Sequence, residues 1–292
     1  MRPLVLDLFC GPGGAAQGWI AAGFDVVGID INPQPDYPGP FYQLDVTRFC
    51  VVGDVIYTDA PELGGMPSSL PLLSRFVLAS ASPPCQFATA LARARSNVRE
   101  DHQNLIPFTR WLLKSMGLPY VIENVGGARS HLIDPVMLCG AHFFSPPAQG
   151  FDTSLPDFIN SPWPTPTGYE SPEEFAEICR RDIGRYNRPR YFETKKLTLT
   201  EPEKHRTQWP TGCNGATNRK AGSRRTVAIG QYNGGISSLP GQRPKGWTKV
   251  SLAYQRAVIG MSGECSLTSL SQAVPPAYTE YIGRSFLAQV KP

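Results

Sequence analysis

At 292 residues, 41% hydrophobic and 18% charged, the chain is long enough for one α/β domain plus a smaller one, or for a single large domain. Its 29 prolines and 28 glycines predict long loops rather than disorder. No apolar run reaches the ~20 residues of a membrane span, and Met1-Arg-Pro opens straight into a strand rather than a signal peptide, so a cytoplasmic protein is expected.

The seven cysteines are odd in number and contain no C-x-x-C, which argues against a disulfide framework and against structural zinc. Cys139-Gly-Ala-His142 comes nearest to a ligand pair and reads as a packed turn; no metal is expected. The net charge of +4 is unevenly placed. Residues 180–225 carry 13 Lys and Arg against four acids, +9, leaving −5 for the remainder. Such a block is the footprint of a polyanion binder, or otherwise a solvated basic face.

Pro3–Phe9 reads as a buried strand. Cys10-Gly11-Pro12-Gly13-Gly14-Ala15-Ala16 follows, then a helix to Ala22 with Gly23 at its C-terminus. Phe24–Ile29 is the next strand and ends in Asp30. A Gly-rich turn lets a ligand approach the backbone, and an acid at the second strand end suits ribose hydroxyls; Gly11-x-Gly13-x-x-Ala16 also fits a dinucleotide site. Asp45 reads as a cap or as a further ligand-binding acid. Residues 50–74 read as loop with a short strand at most.

Arg75–Ala79 is a short buried strand. It is stopped by Pro83-Pro84, which cannot extend a central strand, and Cys85 comes next, where an open α/β sheet keeps its ligands. Gln86-Phe-Ala-Thr89 leads into a basic stretch with Arg93, Arg95 and Arg99. Residues 104–116 place apolar side chains at helical spacing, with Trp111 expected in the core and Gly117 as the stop. Tyr120-Val-Ile122 then runs into Glu123-Asn124-Val125. A thiol and a carboxyl group thus leave two strands at the same end of one sheet.

Residues 143–186 are Pro-rich, with a helix from Ser171-Pro-Glu-Glu to Arg181. Residues 197–257 are loop-like, basic and polar, suited to base-edge and phosphate contacts. Leu270–Gly283 reads as a closing helix.

Five stretches resemble, in family order, motifs of the DNA cytosine-C5 methyltransferases: Asp7-Leu-Phe-Cys-Gly-Pro-Gly-Gly14, Pro83-Pro-Cys-Gln86, Glu123-Asn-Val125, Arg188-Pro-Arg190 and Leu270-Ser-Gln-Ala-Val274. The resemblance covers roughly 1–142, 186–194 and 258–288. It departs at Tyr186 and Gln272, where the family carries Gln and Asn. It implies the Rossmann-like sheet of class I S-adenosylmethionine-dependent methyltransferases with a smaller, loop-rich target-recognition domain. The expected segments are 1–142 for catalysis and donor binding, 143–186 as an insertion, 187–257 for target recognition, and 258–292 returning to the catalytic domain.

The resemblance also implies residue roles. Phe9 would pack on the donor's adenine, Gly11 and Gly13 would line its methionine, and Asp30 would hold the ribose, with Cys10, Gly14 and Ile31 also among the donor-binding residues. Asp45, with Val46, would accept from the adenine amino group, and Pro84, Gln272 and Val274 would complete the pocket, with S-adenosylhomocysteine as product. Cys85 is the implied nucleophile and Glu123 the implied grip on the base, and Arg188 and Arg190 would contact base and phosphate. DNA contacts would come from Gln86, Thr89, Arg93 and Arg95 of a mobile loop, and from Arg219, Lys220, Arg224 and Arg225. The implied partner is double-stranded DNA, bound by a monomer in a bacterial or phage-infected cell.

These residue types suit that chemistry. Cytosine C5 is a poor nucleophile until a thiolate adds at C6. A thiol is mostly protonated at neutral pH unless a cation is near, a role expected of Arg190. Glu123 would keep or share a proton through apolar burial. A duplex base must also be flipped out to be reached. A tRNA cytosine methyltransferase, a catalytically silent DNA-binding relative and an NAD-dependent oxidoreductase are the competing readings.

Overall fold

The computed structural model describes residues 2–58, 71–88, 102–143, 188–202, 226–228, 235–237, 248–249, 252–262 and 265–290. The expected 143–186 insertion beyond Phe143 lies outside them. So do Tyr186, Thr89, Arg93, Arg95, Arg219, Lys220, Arg224 and Arg225.

Strand β1 (Leu4–Leu8) leads through the Gly-rich turn into a helix, Gly14–Ala21, and on to β2 (Asp25–Asp30) and β3 (Phe41–Gln43). A hairpin of β4 (Phe49–Val52) and β5 (Val55–Thr58) follows. This corrects the expectation of loop there. Val51-Val52 and Val55-Ile56 are two β-branched runs, and the Gly53-Asp54 pair between them suits a two-residue turn, Gly53 taking φ +60°.

Strand β6 (Phe76–Ala81), a helix Ile106–Met116, β7 (Tyr120–Val125), β8 (Val136–Leu138) and β9 (Arg190–Lys195) complete the main sheet. Its order is β3-β2-β1-β6-β7-β9-β8. The first five strands are parallel, and β9 runs antiparallel to both β7 and β8. An all-parallel dinucleotide sheet has order 3-2-1-4-5-6; here an antiparallel strand is inserted before the last one. The chain passes from the β2–β3 side of β1 to the β6 side, so the β1/β6 boundary is the topological switch point. Ligands gather beyond the carboxyl ends of strands at such a boundary.

The core explains the sequence runs. Leu6, Leu8, Val27, Ile29, Ala79, Ala81 and Ile122 are buried in one cluster with Ile106, Leu112, Leu113 and Met116 of the intervening helix. Parallel strands covered on both faces read as continuous apolar runs for this reason. Gly117 ends that helix at φ +72° as expected. Trp111 corrects the expectation of burial, being 56% exposed. The core-facing row is Ile106, Thr109, Leu112, Leu113 and Met116, and at 100° per residue Trp111 falls on the opposite side.

The chain divides into two compact units. One comprises Met1–Leu138, Arg190–Glu201 and Tyr278–Pro292, and the other Cys139–Pro189 and Pro202–Ala277. Residues 190–201, expected in the target-recognition region, thus supply a strand to the main sheet. The closing helix expected over Leu270–Gly283 is instead two helices, Leu267–Gln272 and Pro276–Val290, broken before the Pro275-Pro276 pair; in the first unit the later one packs from Tyr278 onward, and Thr279 Oγ1 donates to the Ala15 carbonyl at 2.8 Å. The second unit contains an antiparallel sheet of β10 (Thr226–Ala228), β11 (Gly235–Ser237) and β12 (Thr248–Lys249), with helices Leu252–Ile259 and Leu267–Gln272.

Candidate active site

The turn after β1 is shaped by backbone conformation. Phe9, Gly11 and Gly13 have φ of +54°, +52° and +83°. Positive φ is ordinary for Gly but uncommon for Phe, and such residues gather at functional loops. The loop is tied to the end of β2: Cys10 N–H donates to the Ile29 carbonyl at 3.1 Å and Gly11 N–H to Asp30 Oδ2 at 2.9 Å. Asp30 Oδ1 accepts from Asn32 N–H at 2.9 Å. Each carboxylate oxygen carries two acceptor sites, so Asp30 can brace the loop and still accept from a ligand hydroxyl. Ile31, next in the chain, is 58% exposed, an apolar surface beside that carboxylate.

Other expected donor-site residues are more ordinary. Asp45 caps a short 3-10 turn, Oδ1 accepting from Thr47 N–H at 2.9 Å and from Thr47 Oγ1 at 2.7 Å. The cap is therefore a present role of Asp45. Val46 is buried in the core, Pro84 is exposed, and in the second unit Gln272 is exposed and Val274 buried.

The thiol follows the end of β6, and the carboxyl group lies on the adjacent strand β7. In the β6–β7 register Ala81 faces Ile122, so Glu123 follows at the level where β6 gives way to Ser82-Pro83-Pro84-Cys85. Glu123 lies within β7 rather than past its end, because β9 pairs with the strand up to Val125. Cys85 is half-buried and opens a 3-10 turn, Gln86–Ala88, in which Ala88 N–H donates to the Cys85 carbonyl at 2.9 Å. Asn124, almost wholly buried, donates from Nδ2 to the Pro83 carbonyl at 2.9 Å and pins the proline pair to β7. Glu-Asn-Val points to a role for its Glu, and nothing in the sequence signals the link made by its Asn.

Arg190, the first residue of β9, lies opposite Val125. Its Nε is 2.9 Å from Glu123 Oε1, with both side chains largely buried. The apolar surroundings expected for Glu123 therefore include a guanidinium, and the cation expected to serve Cys85 faces the carboxylate. Arg188, in the other unit, is buried and donates to the carbonyls of Leu270 at 3.3 Å and Ser271, capping the end of the 267–272 helix.

No protein-family model and no curated protein matches the chain. Solved structures similar to it include a candidate DNA modification methyltransferase encoded within an E. coli prophage. That pairing has 19% identity and a TM-score of 0.34, covering 68% of this chain and 49% of the other. Monomeric WbdD is similar at 16% identity and a TM-score of 0.25, over 68% of this chain and 38% of that one. The chain thus spans about half the length of the first structure and less of the second.

Cys139 and His142 form the packed turn anticipated, with Cys139 N–H donating to His142 Nδ1 at 3.1 Å and His142 N–H to the Cys139 carbonyl at 2.9 Å. Among the described residues no group of three or more His, Cys, Asp or Glu is placed to hold a metal ion. Among the same residues, no helix is long and apolar enough to cross a membrane.

Proposed function

We propose that this chain is a DNA cytosine-C5 methyltransferase that uses S-adenosylmethionine. The observation that carries the reading is the juxtaposition of Cys85 and Glu123 at the same end of neighbouring parallel strands, with Arg190 held against Glu123. The bent Gly-rich turn braced by Asp30 supports a donor site beside it. The mostly parallel seven-stranded sheet supports the Rossmann-like fold implied by the resemblance.

The residues act as follows. Glu123, oriented by Arg190, grips the flipped cytosine at N3 and shares a proton with it. The Cys85 thiolate adds at C6, and the ring electrons pass to C5. S-adenosylmethionine, held by the Gly11–Gly14 turn and Asp30, would supply C5 with a methyl group carried on a sulfonium sulfur, with S-adenosylhomocysteine as the leaving product. A base removes the C5 proton, the Cys85–C6 bond breaks, and the thiolate is regenerated. Asn124 keeps the Cys85 loop in register with Glu123 throughout.

Labelled donor offered with duplex DNA and with tRNA tests the substrate, with label expected in DNA; transfer to tRNA alone would move the reading to an RNA enzyme. Cys85→Ser should abolish turnover, and duplex containing 5-fluorocytosine should trap the unmodified chain covalently, because fluorine at C5 cannot leave as a proton does. An adduct mapped by mass spectrometry to a residue other than Cys85 would overturn the assignment.

A further inference from the structure

The crossover from β2 to β3, residues 31–40, contains four prolines and no helix. A parallel crossover usually covers the sheet with a helix; here one aromatic side chain takes that place. Tyr37 is buried, with its ring over β2 where Gly28 lacks a side chain: a Cβ there would meet Tyr37 Cζ at 2.3 Å. The same strap closes on the Gly-rich turn, since a Cβ on Gly13 would meet Pro38 Cδ at 2.5 Å and Tyr37 Cδ2 at 3.2 Å. The Pro40 carbonyl accepts from Gly28 N–H at 2.9 Å. The Tyr37 hydroxyl donates to Asp7 Oδ2 at 3.1 Å. Asp7 is wholly buried on β1, three residues before Cys10.

We propose that Tyr37, through its hydroxyl on Asp7, is a positioning residue of the donor loop, and that the pair couples donor affinity to a proton. This deepens the methyltransferase reading and rests on it. The groups facing Asp7 are Tyr37 from the strap, Ser80 from β6, Cys10 from the loop and Asp30 from the end of β2. Burial raises the Asp7 carboxyl from 3.8 to about 7, against the hydrogen bonds from Tyr37 and Ser80 that lower it. Burial also pushes the Cys10 thiol and the Tyr37 phenol far up, so both stay protonated across the same range. An ionised Asp7 accepts the Tyr37 hydrogen bond more strongly than a neutral one. The strap then holds the loop more tightly, so donor affinity should rise with pH through about 7 and level off above it.

The test is calorimetric titration of the full chain with S-adenosylhomocysteine from pH 5.5 to 8.5. The unmodified chain should gain about tenfold in affinity as Asp7 ionises, a difference of roughly 1.4 kcal/mol. Tyr37→Phe should weaken binding severalfold and move the midpoint of the pH profile upward, because a bond that favours the carboxylate is gone. Asp7→Asn should keep the weak binding and flatten the profile, which holds the proposal open to test even where Tyr37→Phe unfolds. Tyr37→Phe and Asp7→Asn profiles that match the unmodified chain would overturn this inference alone. Failure of the unmodified chain to bind either S-adenosylhomocysteine or S-adenosylmethionine would overturn the donor reading and this inference with it.

Discussion

Asn124 sits between the carboxyl group of Glu123 and the end of β7, and its amide reaches across to the loop that carries the thiol. A backbone carbonyl buried under a proline pair has few other donors, because neither Pro83 nor Pro84 has an N–H. Deleting the side chain leaves that carbonyl short of a partner at a cost of about 1–3 kcal/mol, and frees the segment preceding Cys85. Asn124→Ala is expected to lower turnover at least tenfold while changing donor affinity little, since the Gly-rich turn hangs from β1 and Asp30 instead. Timed alkylation with peptide mapping separates Cys85 from the exposed Cys50, and Cys85 should react faster in the variant as its loop opens. Equal losses in turnover and in donor affinity, with unchanged alkylation, would show a general loss of stability rather than loss of position.

Strand β9 enters the main sheet against the direction of its neighbour β7, and one buried carboxylate fixes it there. Glu193 is 1% exposed and accepts from Arg110 Nε at 2.7 Å, Arg110 Nη2 at 2.6 Å, Ile133 N–H at 2.9 Å and the Tyr120 hydroxyl at 3.3 Å. The bidentate guanidinium raises its own proton affinity through the same bond, and burial pushes the Tyr120 phenol up to about 12. The network joins the 106–116 helix, β7, β9 and the turn before β8, so it sets the register that brings Arg190 opposite Val125. Arg110→Ala should destabilise by about 3 kcal/mol, because it strands a buried charge, and adding Glu193→Gln should recover part of the loss. Urea melts of both single variants and the double variant measure this; strictly additive losses would mean the pair is not coupled.

None of that network was legible beforehand. Glu193 lies 83, 73 and 60 residues from Arg110, Tyr120 and Ile133, and no local pattern records such partners. The buried parallel strands were legible because their runs are apolar throughout, and the 106–116 helix because its core row repeats at helical spacing. Trp111 belongs in the core by its apolar bulk alone, but its angle on the helix turns it to the exposed side. Tyr37 left only a faint trace, one aromatic among four prolines. The Cys85 and Glu123 positions are readable from proline breaks and strand ends, whereas the ion pair to Arg190 depends on the antiparallel pairing of β9 with β7, which no local pattern records.

At the scale of the whole molecule the decisive asymmetry is charge, +9 in residues 180–225 against −5 elsewhere. A flipped base costs a few kcal/mol of stacking and pairing, and we infer that phosphate contacts by the basic segment offset it. Each phosphate neutralised on duplex DNA releases counterions and contributes about −0.9 to the slope of log affinity against log salt. Neutralising Arg219, Lys220, Arg224 and Arg225 together should therefore flatten the slope by up to about 3.6 if all four reach phosphate. Affinity for S-adenosylhomocysteine should stay as it was, since the turn after β1 and Asp30 are untouched. Arg190→Ala should behave in the opposite sense, leaving the slope nearly intact and cutting turnover, because its guanidinium is engaged with Glu123 rather than offered to a phosphate. A salt titration of duplex affinity for the three proteins separates these effects. A slope unchanged in the fourfold variant would make the basic segment a solvated face and place the DNA grip elsewhere in the chain.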